Sequence, residues 1–197
     1  MSIPIATKRI PFSQQEPRIC VSSKQRKILI VGGYGQVGRV IAHTLSSQFP
    51  GQVIIAGRSQ TKAERFATEL GHGAQAGRID VNASGMWDEI LDDVCLVLMC
   101  LDQHDVSLVR TCLVRGINYI DLSAQYDFLK KVGSLDTIAK EHAATALLSV
   151  GVAPGLSNVL AAYARNQFDD LTHLDIFIML GLGDVHGHAA LAWLVDN

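Results

Sequence analysis

A glycine-rich turn between a short apolar segment and an amphipathic one constrains the fold of this chain more than any other feature. The segment Lys27–Val31 reads KILIV and predicts a strand that is buried on both faces, because it is almost uniformly apolar. Gly33, Gly35 and Gly38 follow in the spacing G-x-G-x-x-G, and residues 36–47 then place apolar side chains on one helical face. A strand, a glycine turn and a helix in this order predict the first unit of a doubly wound parallel α/β sheet.

The alternation of strands and helices continues to about residue 170. Short apolar runs predict further strands at residues 52–56, 74–79, 94–99, 117–120 and 146–150. Amphipathic spacing predicts further helices at residues 61–70, 86–91, 103–115, 134–142 and 156–168. Six such units fill one domain of the Rossmann type, which we place at residues 27–170.

Two flanking segments differ from this pattern. Residues 1–26 contain three prolines and several basic residues but no continuous apolar stretch, which predicts a flexible N-terminal arm. A transit sequence is the alternative, since the segment is basic. The apolar residues 173–180 predict a strand for which a six-stranded sheet has no room, and no further strands follow to pair with it. We therefore expect residues 171–197 to begin an α+β second domain that is truncated.

The composition excludes several classes of protein. Hydrophobic residues make up 48% of the chain and charged residues 18%, which is typical of a globular protein. The net charge of -2 provides no field that would hold nucleic acid. No apolar run approaches the roughly 18 residues that a membrane-spanning helix needs. We expect neither nucleic acid nor membrane as a partner.

The four cysteines form no C-x-x-C motif and no regular framework. Cys95, Cys100 and Cys112 lie in apolar stretches, which predicts buried free thiols. Because reduced thiols are typical of the cytoplasm, we expect a cytoplasmic protein.

The glycine turn predicts a nucleotide-binding site. Gly33 would permit the tight turn, Gly35 would let the backbone approach a pyrophosphate, and Gly38 would let the helix pack closely on the sheet. The phosphates would lie at the N-terminus of the helix, where free N–H groups and the helix dipole favour an anion. We assign cofactor contacts to the whole hexapeptide: Gly33, Tyr34, Gly35, Gln36, Val37 and Gly38.

The end of the second predicted strand discriminates between NAD and NADP. An NAD enzyme places an acidic residue there, about twenty residues after the glycines, to bind the ribose 2'-hydroxyl. This chain instead has Arg58 and Ser59, with Lys62 one helical turn later. A guanidinium offers a planar fork for a 2'-phosphate, so we predict NADP as the cofactor. The alternative is that Arg58 is a solvated loop charge.

Two further loops would reach the same edge of the sheet, because the carboxyl ends of parallel strands lie together. Asp80 and Val81 follow the third strand and are predicted to border the adenine, although Asp80 could equally cap the next helix. Four residues follow the fourth strand and would border the reactive end of the cofactor: Cys100, Leu101, Asp102 and Gln103. Of these we assign cofactor contacts to Cys100 and Leu101.

The loops after the fifth and sixth strands would face the substrate. Asp121 and Ser123 are predicted as catalytic residues that contact the nicotinamide ribose or the substrate; ordinary turn chemistry at a strand end is the alternative. Gly151, Pro154 and Gly155 form a turn before a predicted helix, and their backbone could bind an anionic group of the substrate.

Two other motifs carry less weight. Tyr126 and Lys130 match the Y-x-x-x-K of short-chain dehydrogenases, but the glycine spacing of this chain differs from that of those enzymes. Asp184, His186 and His188 resemble a metal site without a third ligand cluster nearby, and capping of a predicted helix explains them better. We expect no metal.

Several segments together resemble the saccharopine dehydrogenase or saccharopine reductase family. They are residues 28–58, 118–123 and 151–158, followed by residues 183–187, which look like the family's entry into its second domain. The resemblance covers about residues 27–195. It implies NADPH-dependent hydride transfer to or from a C–N bond, with an imine formed from an amino acid and an oxo acid, and therefore a role in amino-acid metabolism.

The resemblance also implies a second domain that supplies much of the substrate pocket and the dimer interface. The resemblance therefore allows a homo-oligomer. It also implies that the substrate is a small molecule derived from an amino acid. The alternative function is that of a non-catalytic NADP-binding module, or of an inactive fragment that lacks its substrate domain.

Overall fold

A computed structural model describes residues 27–83, 85, 87–177 and 179. The expectations for the arm at residues 1–26 and for the motif Asp184, His186 and His188 lie outside the described residues.

A six-stranded parallel sheet forms the centre of the described structure. Its strands are β1 (Lys27–Val31), β2 (Val53–Gly57), β3 (Gln75–Arg78), β4 (Val94–Met99), β5 (Asn118–Asp121) and β6 (Ala146–Leu147). The order across the sheet is β3-β2-β1-β4-β5-β6, and β1 pairs in parallel with both β2 and β4. The chain changes direction across the sheet between β1 and β4, which opens a crevice at their carboxyl ends. The predicted doubly wound fold is confirmed.

Helices connect the strands within the described residues. They are α1 (Gln36–Gln48), α2 (Gln60–Leu70), α3 (Asp88–Leu91), α4 (Ser107–Val114), α5 (Tyr126–Gly133), α6 (Asp136–Glu141) and α7 (Leu156–Arg165). None of these helices is long and apolar enough to cross a membrane. The sequence prediction misses α5. Its buried residues Phe128 and Val132 lie four positions apart, which is the helical spacing that could have revealed it.

The sheet is buried on both faces, as the uniformly apolar strands predict. Alternate residues of β1 enter opposite layers: Leu29 and Val31 pack with one cluster of buried side chains, and Ile28 and Ile30 with the other. All six residues of β4 are buried. Each large aliphatic side chain that is fully buried contributes about 1.5–3 kcal/mol to folding. The crevice therefore lies at the ends of two strands, β1 and β4, that are packed in the core.

The strand predicted at residues 173–180 is wrong over its described part. Residues 173–177 belong to neither helix nor strand, and Leu174, Ile176 and Phe177 are exposed. A strand requires a neighbour that satisfies its backbone N–H and C=O groups, and no strand of the described sheet pairs with this segment. An apolar sequence alone does not supply that neighbour.

Helix α7 has no buried residue. Its apolar side chains Leu156, Val159, Leu160 and Tyr163 are all more than half exposed. The buried core of the described structure therefore ends before α7, and the domain boundary at residue 170 stays a prediction.

The cysteines differ in part from expectation. Cys100 and Cys112 are free thiols, but Cys95 is disulfide-bonded, so the prediction of a free thiol is wrong there. The apolar context of Cys95 predicts its burial correctly. Disulfide pairing depends on which residues meet in the folded chain, and local composition carries no information about that.

Candidate functional site

The glycine turn joins β1 to α1 through contacts that exclude side chains. An added Cβ at Gly38 would overlap the carbonyl oxygen of Gly32 and lie 2.7 Å from the Cα of Gly33. The close packing expected at Gly38 is therefore present. The tight turn is predicted at Gly33, but the left-handed residue is its neighbour Gly32, with φ of +78°. The pair of consecutive glycines is the signal that could have shown this.

The N-terminus of α1 is open to solvent. Gly35 is the N-cap and offers no side-chain hydrogen bond, and the first turn of α1 contains no acidic residue. Gly35, Gln36 and Val37 are exposed. The N–H groups at the start of a helix lack intrahelical acceptors, so this end of α1 can bind an anionic group.

Tyr34 links the glycine turn to the end of β2. Its ring lies over Gly57, where an added Cβ would be 2.7 Å from two ring carbons of Tyr34. The Tyr34 hydroxyl accepts a hydrogen bond from the backbone N–H of Ser59 at 3.1 Å. The Oγ of Ser59 in turn accepts the N–H of Lys62 at 3.3 Å and caps α2. The turn after β1 and the turn after β2 are thus held together.

Arg58 and Lys62 present free positive charge beside Ser59. Both side chains are exposed, and neither forms a salt bridge within the part of the chain that the structure describes. The residues that follow β2 include no acidic group until Glu64, which pairs with Gln60. This donor set fits a 2'-phosphate and lacks the carboxylate that binds the 2'-hydroxyl of NAD.

Asp80 stabilises a turn, and the alternative of a helix cap is wrong. Its carboxylate accepts the N–H of Asn82 at 3.0 Å, and its carbonyl oxygen accepts the indole N–H of Trp87 at 2.8 Å. Helix α3 begins only at Asp88, beyond the reach of an N-cap at Asp80. These bonds hold the loop that carries Val81 at the carboxyl end of β3.

Cys100 and Leu101 lie directly against the glycine turn. An added Cβ at Gly32 would be 2.8 Å from the side chain of Leu101, and the N–H of Cys100 donates to the carbonyl oxygen of Val31 at 2.9 Å. Burial and the nearby Asp121 raise the pKa of the Cys100 thiol to about 12. Cys100 is therefore protonated at neutral pH and is not a nucleophile.

A buried hydrogen-bond network ties the loop after β4 to the end of β5. Gln103 donates from Nε2 to the Tyr119 hydroxyl at 2.6 Å, and Tyr119 donates to one carboxylate oxygen of Asp121 at 2.8 Å. The other oxygen of Asp121 accepts the N–H of Ser123 at 2.6 Å. Burial raises the pKa of Asp121, while the bonds from Tyr119 and Ser123 act in the opposite direction. The network thereby fixes two loops that border the crevice.

This network changes the interpretation of Asp121 and Ser123. Asp121 is 0% exposed, so its carboxylate reaches no molecule in the crevice in this conformation. The Oγ of Ser123 accepts the N–H of Gln125 at 3.1 Å. These are the contacts of the strand-end turn that the sequence leaves as an alternative. The catalytic role of both residues stays a prediction.

Sequence reasoning placed Gln103 at the crevice but missed Tyr119 and the hydrogen bond between them. Tyr119 lies two positions before Asp121 in β5, so both side chains project from the same face of the sheet. That spacing is the signal that could have found it.

Asp121→Asn is expected to destabilise the protein by about 1–3 kcal/mol. The amide has one acceptor oxygen where the carboxylate has two, so once that oxygen accepts from the N–H of Ser123, the buried hydroxyl of Tyr119 loses its acceptor. The raised pKa means that folded Asp121 binds its proton more tightly than in the unfolded chain. The wild type should therefore lose stability as the pH rises from about 4, the unfolded value, through the folded pKa. Urea unfolding over this pH range should show this loss for the wild type but not for the variant.

The exposed Asp136 provides a matched control for this substitution. Among the described residues Asp136 pairs with Lys140 alone, and both side chains are exposed, so Asp136→Asn should leave stability nearly unchanged. Equal stability of Asp121→Asn and the wild type would contradict the structural role of the network.

The turn at Gly151, Pro154 and Gly155 uses its own backbone donors. Gly155 has φ of +127°, and the N–H groups of Leu156 and Ser157 donate to carbonyl oxygens within the turn. These groups are therefore engaged by the chain itself. The predicted substrate contacts of Gly151, Pro154 and Gly155 stay a prediction. Among the described residues, no group of three His, Cys, Asp or Glu side chains could hold a metal ion.

A comparison with protein families identifies the architecture of this site. The family model described as the saccharopine dehydrogenase NADP binding domain matches residues 28–147, which is more than half of the 197 residues of the chain. The chain belongs to this family. The matched residues include the glycine turn, Arg58, the loop after β4 and the buried network. Membership of the saccharopine dehydrogenase family confirms the predicted resemblance and gives NADP as the cofactor of the domain.

Two similar proteins are both longer than this chain. Carboxynorspermidine synthase of Vibrio cholerae serotype O1 is 25% identical over 185 residues, which cover 79% of this chain and 43% of the synthase. Apo saccharopine dehydrogenase (L-Glu forming) from Saccharomyces cerevisiae has a TM-score of 0.54 at 16% identity, covering 72% of this chain and 31% of that one. The second similarity shows the fold alone. The chain spans less than half the length of each relative.

Proposed function

We propose that the chain is an NADP-dependent oxidoreductase that transfers hydride to or from a C–N bond of a small molecule derived from an amino acid. One observation carries the cofactor part of this proposal. The exposed, uncapped N-terminus of α1 and Arg58 at the end of β2, which forms no salt bridge with a described residue, lie on one edge of the saccharopine dehydrogenase fold. Together they provide donors for a pyrophosphate and for a 2'-phosphate.

Each loop at the carboxyl edge of the sheet would bind a different part of the cofactor. The glycine turn would hold the pyrophosphate; Arg58, Ser59 and Lys62 would hold the 2'-phosphate. The loops after β3 and β4 would border the adenine and the nicotinamide through Asp80, Val81, Cys100 and Leu101. When bound, NADPH supplies the hydride, and the protein contributes position and electrostatics.

Asp121 and Ser123 would act on the reaction by holding the loops that face the nicotinamide. Their bonds link β5 to the loop after β4 and, through the bond from Ser149 Oγ to the carbonyl oxygen of Ser123, to the segment after β6. Gly151, Pro154 and Gly155 would shape the substrate side of the crevice from that segment. This arrangement would keep the imine carbon at a fixed distance from the nicotinamide.

The family and the name of one relative support the C–N chemistry. The family is that of saccharopine dehydrogenase, and the relative is a carboxynorspermidine synthase. In the reductive direction the imine carbon would accept hydride from NADPH and the nitrogen would accept a proton, which gives a secondary amine and NADP⁺. The resemblance to the family implies an imine made from an amino acid and an oxo acid.

NADPH oxidation by the purified chain tests the proposal. Amino acids and diamines would be paired with oxo acids, and the loss of nicotinamide absorbance would be followed with NADPH and with NADH. We expect oxidation that requires both an amine and an oxo acid and that is faster with NADPH. Tight NADPH binding without oxidation for any pair would instead support the alternative of a non-catalytic NADP-binding module.

The proposal also covers the localisation, the binding partners and the oligomeric state of the protein. We expect a cytoplasmic protein, which the free thiols of Cys100 and Cys112 favour and the disulfide at Cys95 does not. We also expect a small-molecule partner and no affinity for nucleic acid, since the net charge of -2 provides no field that would hold a polyanion. The proposal allows a homo-oligomer, and light scattering of the purified chain would determine the oligomeric state.

A further inference from the structure

Tyr34 belongs to the glycine turn by sequence, but its side chain reaches the loop that would bind the 2'-phosphate. The hydroxyl oxygen lies 3.1 Å from the backbone nitrogen of Ser59, between Arg58 and the start of α2. This places an aromatic hydroxyl against the backbone of the loop that carries Arg58 and Lys62, whose exposed side chains form no salt bridge among the described residues. A group at this position can influence which nicotinamide cofactor the domain accepts.

The Tyr34 hydroxyl accepts a hydrogen bond but donates none to a described residue. A phenolic hydroxyl can both accept and donate one hydrogen bond, and here its oxygen accepts from Ser59. Among the residues that the structure describes, none accepts the hydroxyl hydrogen of Tyr34. The hydrogen is therefore available to an acceptor that arrives from outside, and the neighbouring positive charges favour an anionic acceptor.

Gly57 provides a second, independent observation. The backbone of Gly57 is not in the left-handed region, so its conformation does not require glycine. An added Cβ would instead lie 2.5 Å from the hydroxyl oxygen of Tyr34 and 2.7 Å from its ring. Glycine at this position thus makes room for the Tyr34 side chain, which indicates that the position of the tyrosine matters.

We propose that Tyr34 is a specificity-determining residue whose hydroxyl donates a hydrogen bond to the 2'-phosphate of NADP. Its bond from Ser59 also positions the loop that carries Arg58. This inference rests on the proposed placement of the 2'-phosphate at the end of β2. It adds a donor from the glycine turn to those that follow β2, so that a single side chain couples the two phosphate sites.

Tyr34→Phe removes only the hydroxyl and tests the inference. NADPH affinity should fall by about tenfold or more, since a hydrogen bond to a charged group is lost, whereas NADH affinity should change by less than about twofold. Fluorescence titration with both cofactors would measure the ratio of affinities. Competition by adenosine 2',5'-bisphosphate and by AMP would confirm that the loss concerns the 2'-phosphate. Tyr126→Phe, at an exposed tyrosine in α5, is the matched control and should leave the ratio unchanged.

Gly57→Ala is a second variant, which displaces Tyr34 without changing it. It should lower the NADPH to NADH affinity ratio in the same direction. Circular dichroism would show that each variant is folded. An unchanged ratio in folded Tyr34→Phe, or an equal loss for both cofactors, would overturn the inference while leaving the proposed cofactor site intact. A wild-type chain without preference for NADPH would overturn both the inference and the proposed site.

Discussion

Gly38→Val should abolish NADPH binding. A branched side chain at this position would overlap the carbonyl oxygen of Gly32, and the nearby Cα of Gly33 leaves no alternative space. These are backbone atoms, which cannot rotate away as a flexible side chain can. The glycine turn must therefore move away from the N-terminus of α1, which separates the turn from the N–H groups that would bind the pyrophosphate. We expect a loss of affinity of at least about 100-fold and a destabilisation of about 1–3 kcal/mol.

Fluorescence titration with NADPH and urea unfolding would measure these two effects. Gly133→Val is the matched control, because an added Cβ at Gly133 meets no atom within 4 Å and its backbone is not left-handed. The control should bind NADPH like the wild type. If folded Gly38→Val retained wild-type affinity, the glycine turn would not be the pyrophosphate site.

Arg58→Asp should reverse the cofactor preference. The wild-type guanidinium is exposed and unpaired within the described residues, so it is free to bind a 2'-phosphate. The substitution removes this donor and places a negative charge opposite the phosphate, which should lower NADPH affinity by about 100-fold. The new carboxylate can accept hydrogen bonds from the 2'-hydroxyl of NADH, as in enzymes that use NAD. NADH should then bind more tightly than NADPH.

Titration of both cofactors against wild type and variant would test this reversal. Arg110→Asp changes the net charge equally at an exposed position in α4, and should leave the preference for NADPH in place. Equal affinity of the wild type for NADPH and NADH would rule out a role of Arg58 in selecting the cofactor.

Local sequence patterns are sufficient to predict the sheet and the glycine turn at the start of α1. The apolar runs of β1 and β4 predict strands buried on both faces, and the structure buries both. The spacing of Gly33, Gly35 and Gly38 predicts a turn at the N-terminus of a helix, and α1 begins at Gln36. These predictions succeed because strand and helix periods are properties of neighbouring residues.

Contacts between distant parts of the chain decide the rest. The bond between Tyr34 and Ser59 spans 25 positions, and that between Gln103 and Tyr119 spans 16. Both bonds depend on the order in which the strands pair. The complete burial of Asp121 depends on it too, and the presence of an aspartate at the end of a predicted strand does not reveal that burial. The apolar segment at residues 173–177 shows the same limit, because a strand forms only where another strand lies beside it. Periodicity specifies which face of an element is apolar, whereas hydrogen-bond partners and buried charges are determined by the tertiary arrangement that brings distant residues together.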